Sequence, residues 1–420
     1  MAQRLLGGGP DVSRIVLGRS IRGFADGFVS VLLAQYLTDL GFSPVQVGAI
    51  VTGTLIGSAV LTVGFGFTSR RFALRHLLMA ATGMMFLTGL LFAGLPWFWP
   101  LFVVAVIGTL NPSGGDVSVF LPVEQSFLTD LVEPARHTRL FASYNLAAIG
   151  AGAFGALASA LPSAVARRTG WEITTLQRGA FLAYAAAGLI TFLLYRRLQA
   201  GSVPDRVPAE TPTGARTRIL HTSRRTVLEL AGLFSIDSAG SGFIVTSLLV
   251  LWLHLRWDLS AAQTGAVFFA AGLLGGASQF LAPHIAARLG LVRTMAFTHL
   301  PANVLLILAA FAPSGRIAVA LLLLRALFAQ MDVPARQAFV MAVVPPDERA
   351  AAASLTNVPR SLASAVTPLL AGALLSHSTF GWPLLIAGII KIAYDLSLLA
   401  LYRNVPEEVG AHRVRRSERG

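Results

Sequence analysis

The chain has 420 residues, of which 55% are hydrophobic and only 13% charged, about half the roughly 25% charged share of an ordinary soluble domain. That excludes a water-soluble globule of this size and points to repeated passage through a bilayer, at about 20 apolar residues per crossing. A formal net charge of +13 would suggest nucleic acid in a soluble protein, but these arginines fall between apolar runs without aromatic interleaving; the lack of any cysteine excludes disulfides, thiolate metal sites and a thiol nucleophile.

Residues 1–13 lack an apolar core followed by a cleavage site, so no removable signal peptide is expected. From there the apolar runs predict twelve helices in chain order. The first six lie near Arg14–Leu40, Pro44–Phe65, Leu77–Leu95, Phe98–Leu131, Arg139–Leu161 and Gln177–Tyr195. The second six lie near Thr226–Leu255, Ala261–Pro283, Thr294–Ala312, Arg316–Val344, Ala350–Ser376 and Trp382–Tyr402. The expected organisation is a six-helix bundle over residues 1–197, a polar linker over 198–225 that holds Pro204, Pro208 and Pro212, a second bundle over 226–403 and a basic tail over 404–420. Prolines and arginines suit water rather than lipid, so the linker is read as exposed.

Loop charge sets the expected orientation. Arg70, Arg71, Arg75, Arg136, Arg139, the linker arginines, Arg288, Arg293, Arg349 and the tail arginines fall on one side; Arg167, Arg168, Arg178, Arg256 and Arg316 fall on the other. The positive-inside rule then places both termini in the cytoplasm.

An internal repeat ties the two halves together. Gly41–Ile50 (GFSPVQVGAI) matches Asp258–Val267 (DLSAAQTGAV), with Ser43, Gln46 and Gly48 corresponding to Ser260, Gln263 and Gly265. A second block carries Pro122, Gln125, Phe127, Pro134 and Asn145 onto Pro334, Gln337, Phe339, Pro346 and Asn357 under one unchanged offset. Both serines stand where a helix N-cap is needed, and Pro44 suits a first helical turn.

Two six-helix halves, a linker and basic loops after the second and eighth helices resemble the major facilitator superfamily. That family's loop after the second helix reads G-x-x-x-D-R-x-G-R-R. Here Gly66–Arg75 is GFTSRRFALR, where Gly66, Arg71 and Arg75 match while Arg70 and Ala73 depart. Ala286–Arg293 (AARLGLVR) keeps Arg288 and Gly290. Gly150, Gly152 and Gly155 in the fifth helix and Thr367–Gly372 (TPLLAG) in the eleventh look like the glycine and proline motif of family exporters. Small residues at such positions also simply let helices pack closely. Met331–Arg349 resembles a prokaryotic, efflux-like branch. The resemblance implies an all-α membrane protein of two pseudo-symmetric bundles in the plasma (inner) membrane, acting as a monomer on a small solute, without a cofactor and not as an enzyme. It also places Arg71 and Arg288 at an interdomain gate.

Charged groups at membrane depth cost about 2.5–3.5 kcal/mol each on insertion scales, so each needs a reason. In the first helix Arg19 is read as an interfacial residue reaching head groups, while Arg22 and Asp26 form an i,i+4 pair or line a cavity. Asp116 follows Asn111-Pro112-Ser113-Gly114-Gly115, a run expected to break the fourth helix. Arg325, Asp332 and Arg336 fall within about 60° of one helical face. Asp237 stands alone among glycines and serines in the seventh helix. Arg22, Asp26, Asp116, Asp237, Arg325 and Asp332 are therefore the candidates for proton coupling or a cavity lining, with Gln125, Gln337, Asn145 and Asn357 as polar lining. Glu124 and Arg336 occupy matching repeat positions and are expected to meet as a gate between the halves, or else to pair locally, Arg336 with Asp332. Lys391 and Asp395 are read as an i,i+4 structural pair. His254, His284, His299 and His377 show no metal-ligand spacing and are read as core or interface residues. No GxSxG, P-loop or HExxH motif is present.

The expected function is proton-coupled efflux of a small solute by alternating access. The alternatives are proton-coupled uptake, and a non-transporting scaffold or intramembrane enzyme. In this cysteine-free chain Ser202→Cys supplies a single reporter. A membrane-impermeant maleimide is expected to label it only from the cytoplasmic side, and labelling from the outside would overturn the orientation.

Overall fold

The computed structural model describes residues 9–68, 72–113, 120–132, 137–199, 223–345 and 348–403. These form helices and turns, with no strand among the described residues. In chain order the helices are α1 (Pro10–Asp39), α2 (Pro44–Thr68), α3 (Leu74–Gly94), α4 (Phe98–Ile107), α5 (Phe120–Leu131), α6 (His137–Ala158), α7 (Leu161–Thr169) and α8 (Ile173–Arg196). They continue as α9 (Arg224–Phe243), α10 (Thr246–Trp257), α11 (Ala261–Leu289), α12 (Leu291–Ala310), α13 (Gly315–Ala326), α14 (Asp332–Val343), α15 (Arg349–His377) and α16 (Trp382–Tyr402). Most of the expected linker and the tail, together with Arg71 and Asp116, lie outside the described residues.

Eight segments are long and apolar enough to cross a membrane: α2, α3, the run Ser143–Thr169 formed by α6 and α7, α8, α11, α12, α15 and α16. A ninth is α9 with α10, bent by 40°. The remaining spans are α1, whose 30 residues include Arg14, Arg19, Arg22 and Asp26, and the interrupted pairs α4–α5 and α13–α14. The total is the twelve expected. Large apolar side chains remain exposed along the helices, such as Val60 at 61% and Leu401 at 59%, as lipid-facing surfaces require. Trp97, Trp99, Trp171 and Trp382 are exposed at the α3–α4, α7–α8 and α15–α16 junctions. These junctions lie on the side expected to be poor in arginine, where an interfacial tryptophan belt is favourable.

The interruptions have chemical causes. Pro122 is the third residue of α5 and Pro334 the third of α14. Proline has no N–H, so it cannot continue the ladder of a preceding helix and is tolerated in a first turn. Pro334 thus restarts the tenth span after its break, and its repeat mate Pro122 lies near the first described residues of α5. The break in the fourth span was expected from Asn111–Gly115; the break over Leu327–Met331 was not, and it replaces the continuous helix read across Arg316–Val344. The seventh span is broken at Ile244–Val245, about two turns beyond Asp237. Arg167 and Arg168, expected in a loop, end α7, which Gly170 closes at φ 73°. Basic side chains there suit the negative end of the helix dipole.

Both copies of the first repeat block form capping boxes. Ser43 N donates to Gln46 Oε1 at 2.9 Å and Gln46 N to Ser43 Oγ at 3.4 Å. Ser260 N and Gln263 N make the same two bonds at 2.9 and 3.4 Å. Two orphan N–H groups at each helix start are thereby satisfied reciprocally.

The chain divides into two compact units, one of residues 1–211, 245–273 and 368–379, the other of residues 212–244, 274–367 and 380–420. In the first, α1 packs on α6 through small residues: a Cβ on Gly27 would lie 2.0 Å from Gly152 O, and one on Gly155 1.9 Å from Phe24 O. Such close backbone approach is how helices associate in lipid, where no hydrophobic force draws them together. The same unit contains a repeat-related pair of contacts. A Cβ on Gly48 would lie 2.5 Å from Pro368 O, and one on Gly265 2.7 Å from Ala156 O. The second-block offset carries Ala156 onto Pro368. α10 docks on α1 through the buried Ser247, whose Oγ donates to Ser30 O at 2.7 Å. In the second unit α16 packs on α9 and α12, around a core of Phe234, Met295, Phe339, Tyr394 and Leu398.

Candidate functional site

Each unit holds a buried network of charged side chains among the described residues. In the first unit, α1 supplies Arg22 and α5 supplies Glu124, both almost fully buried. Arg22 Nη2 lies 2.5 Å from Glu124 Oε1. Tyr144 Oη of α6 donates to Glu124 Oε2 at 2.5 Å, and Tyr195 Oη of α8 donates to Oε1. The guanidinium carbon of Arg22 stands 3.8 Å from the centroid of the Phe120 ring, a cation–π contact. Gly18 makes this possible: a Cβ there would lie 2.6 Å from the Tyr195 hydroxyl. The absence of a side chain one turn before Arg22 therefore lets Tyr195 reach across α1 to the carboxylate. Arg19 lies over the Tyr144 ring at 5.2 Å and is buried rather than interfacial. Asp26 is partly buried and hydrogen-bonds the Asn111 side chain, while Arg22 takes Glu124 in place of the i,i+4 partner.

In the second unit the network centres on Asp237 of α9. Lys391 Nζ of α16 donates to Asp237 Oδ1 at 2.7 Å, and Arg336 Nη1 of α14 reaches Asp237 Oδ2 at 3.4 Å and Asp332 Oδ2 at 3.1 Å. All four are at least nine-tenths buried. The local alternative for Arg336, pairing with Asp332, is thus realised, and Asp237 joins it. Gly240 leaves room for the Lys391 stem, since a Cβ there would sit 2.9 Å from Lys391 Cγ. The i,i+4 pairing of Lys391 with Asp395 gives way to two longer-range pairings: Lys391 goes to Asp237, and Asp395 Oδ1 receives His299 Nδ1 at 2.9 Å. Arg360 Nε of α15 donates to Ser238 Oγ at 2.9 Å.

The other candidates are scattered. Arg325 of α13 is partly buried, and its Nε has no hydrogen-bond partner. Gln125 and Asn145 are half-buried, whereas their repeat mates Gln337 and Asn357 are exposed. Arg288 is exposed at the end of α11. Glu124 and Arg336 each pair inside their own unit. Sequence reasoning missed Tyr144, Tyr195, Arg360, His299 and Asp395 as network members. One signal was available: Lys391 is the only lysine in the chain, and it lies in the middle of an apolar span.

The sequence profile described as Major Facilitator Superfamily matches residues 15–315 and again 230–419. The chain belongs to the major facilitator superfamily. A protein of Saccharomyces cerevisiae described as uncharacterized membrane protein YJR124C is 23% identical over 418 residues, covering 93% of each chain. Among solved structures, this family member resembles the inward-open xylose transporter XylE from E. coli, with a TM-score of 0.72 at 15% identity over 95% of this chain and 98% of that one. It also resembles the nucleoside transporter NupG, with a TM-score of 0.70 at 13% identity over 94% and 100%. At these identities the likeness is one of fold.

Removing one partner of a buried ion pair leaves the other uncompensated and costs about 3–5 kcal/mol, whereas removing both is far milder. Asp237→Asn is therefore expected to lower the thermal unfolding midpoint of the purified protein, and adding Lys391→Met to restore most of the loss. A double variant no more stable than the single one would contradict the pairing.

Proposed function

We propose that this major facilitator is a proton-driven secondary active transporter that moves a small solute across the membrane by alternating access, exporting the solute in exchange for protons. Asp237 carries the proposal. It is a carboxylate at membrane depth, held by two cations on two other helices. A proton on Asp237 neutralises the carboxylate and frees Lys391 from it, while Arg336 keeps Asp332, so loading a proton changes which helices the ion pairs join. Glu124 is built differently. Its two oxygens take Arg22, Tyr144 and Tyr195 together, which suits a fixed strut between the first and fourth spans. Glu124 and Arg336 each act as a clamp within their own half.

The proposed setting is a plasma membrane, with a monomer whose two termini face the cytoplasm. Loop arginines and the exposed tryptophans at the opposite helix ends support that orientation. The export direction follows the glycine pattern of α6, although Gly152 and Gly155 also have a packing use against α1. Uptake by symport is the second reading. It is favoured by the similarity in fold to a D-xylose-proton symporter, with a TM-score of 0.72 at 15% identity.

Proteoliposomes with an imposed pH gradient, screened with labelled sugars, nucleosides, amino acids and organic anions, test the proposal. One pH unit stores about 1.36 kcal/mol per proton, enough for about tenfold accumulation at one proton per solute. At least one class is expected to move against its gradient and to stop when a protonophore is added. Movement indifferent to the protonophore, or none in any class, would contradict proton-driven transport.

A further inference from the structure

A second acid–base pair, His299 and Asp395, lies beside Asp237. Asp395 of α16 is 0% exposed, yet among the described residues no lysine or arginine is hydrogen-bonded to it. Lys391, one turn earlier, is turned to Asp237. The partners of Asp395 are His299 Nδ1 at 2.9 Å on Oδ1 and Asn303 Nδ2 at 2.9 Å on Oδ2. A carboxylate only accepts, so with Asp395 ionised the Nδ1 atom of His299 carries the hydrogen of this bond; Asn303 Nδ2, 3.3 Å from the same Nδ1, then directs its hydrogen to Asp395 Oδ2, and Nε2 retains its lone pair in the neutral ring. Nε2 lies 3.8 Å from Asp237 Oδ1, the oxygen that also holds Lys391 Nζ at 2.7 Å.

Charge counting gives the pair a task. Among the bonded groups Asp237 holds Lys391 and Arg336 and Asp332 holds Arg336, so Asp395 is the one acid bonded to no lysine or arginine. A proton on the imidazole supplies Asp395 with a cation of its own. The other groups facing His299 and its carboxylates are Tyr394 of α16, whose ring meets the imidazole edge-on at 6.2 Å, and Arg325 of α13 and Arg360 of α15, which act on Asp237 and Asp332 through space.

We propose that His299 and Asp395 form a second, discrete proton-binding site, whose loading weakens the Lys391–Asp237 ion pair. In the unloaded state Asp395 holds the ring by Nδ1–H. A proton from water then bonds to the Nε2 lone pair, no other bond breaks, and the ring becomes an imidazolium balanced by Asp395. Its Nε2–H faces Asp237 Oδ1 and competes there with Lys391 for the same oxygen. Loss of the proton to water restores the lysine's sole hold. The role of this site in transport rests on the proton-driven function proposed above; its capacity to bind a proton does not.

The test is a proton count. Purified protein is shifted from about pH 8 to about pH 5, the range in which an imidazole titrates, and the protons taken up are read with an indicator dye. His299→Gln and Asp395→Asn are each expected to take up one proton fewer than the wild type. The double variant, which leaves no uncompensated charge and so is the variant that folds if the single ones do not, is expected to show at least that loss. A double variant that takes up as many protons as the wild type would overturn the site and leave proton-driven flux standing. Wild-type vesicles without pH-driven flux, with the proton count falling in the double variant, would keep the site and overturn only its role in transport.

Discussion

A charge inside a bilayer must have a partner. Water is absent there, and a lone ion is expensive enough to be rejected or neutralised. Much of the interior of this chain follows from that constraint. Arg22, Glu124, Asp237, Asp332, Arg336, Lys391 and Asp395 are all nearly inaccessible, and each is bonded to a side chain of opposite charge or, for Asp395, to a histidine and an amide. Glycines are placed where they let those partners meet. Gly18 admits the Tyr195 hydroxyl, and Gly240 admits the Lys391 stem.

The two halves solve the problem with opposite polarity. The second-block repeat carries Glu124 onto Arg336, and the first-block offset carries Arg22 to within two positions of Asp237. Each half therefore joins its first span to its fourth by a buried ion pair, with acid and base exchanged. The duplication kept the contact and inverted its signs. What surrounds each pair differs. Glu124 is enclosed by two phenols and an arginine that rests on an aromatic ring, an arrangement with both of its oxygens occupied. Asp237 holds two cations, one of them shared with Asp332, and has an imidazole in reach. One network is suited to holding helices together, the other to exchanging partners.

The spans, the duplication and both capping boxes are legible in the sequence because they depend on local pattern: apolar length, loop charge and a serine three residues before a glutamine. The break in the fourth span is legible for the same reason, since Asn111–Gly115 is poor helix material. The break before α14 is harder to read. Leu327–Met331 contains no glycine or proline, and the cause, Pro334, sits inside the next helix. The network memberships are the least legible. Helical periodicity reports neighbours at i+3 and i+4, which recovered Arg336 with Asp332 but also suggested Arg22 with Asp26 and Lys391 with Asp395. The actual partners of Arg22 and Lys391 are 102 and 154 residues away. Only tertiary packing decides between a local acid and a distant one.

The most direct measurement of the division between a fixed and an exchanging network is a pair of experimental structures of the wild-type protein in lipid, one at acidic and one at alkaline pH. The account predicts that Arg22, Tyr144 and Tyr195 stay on Glu124 in both, while Lys391 is bonded to Asp237 at alkaline pH and displaced from it at acidic pH. A Glu124 cluster that opens with pH while Lys391 stays fixed on Asp237 would contradict it.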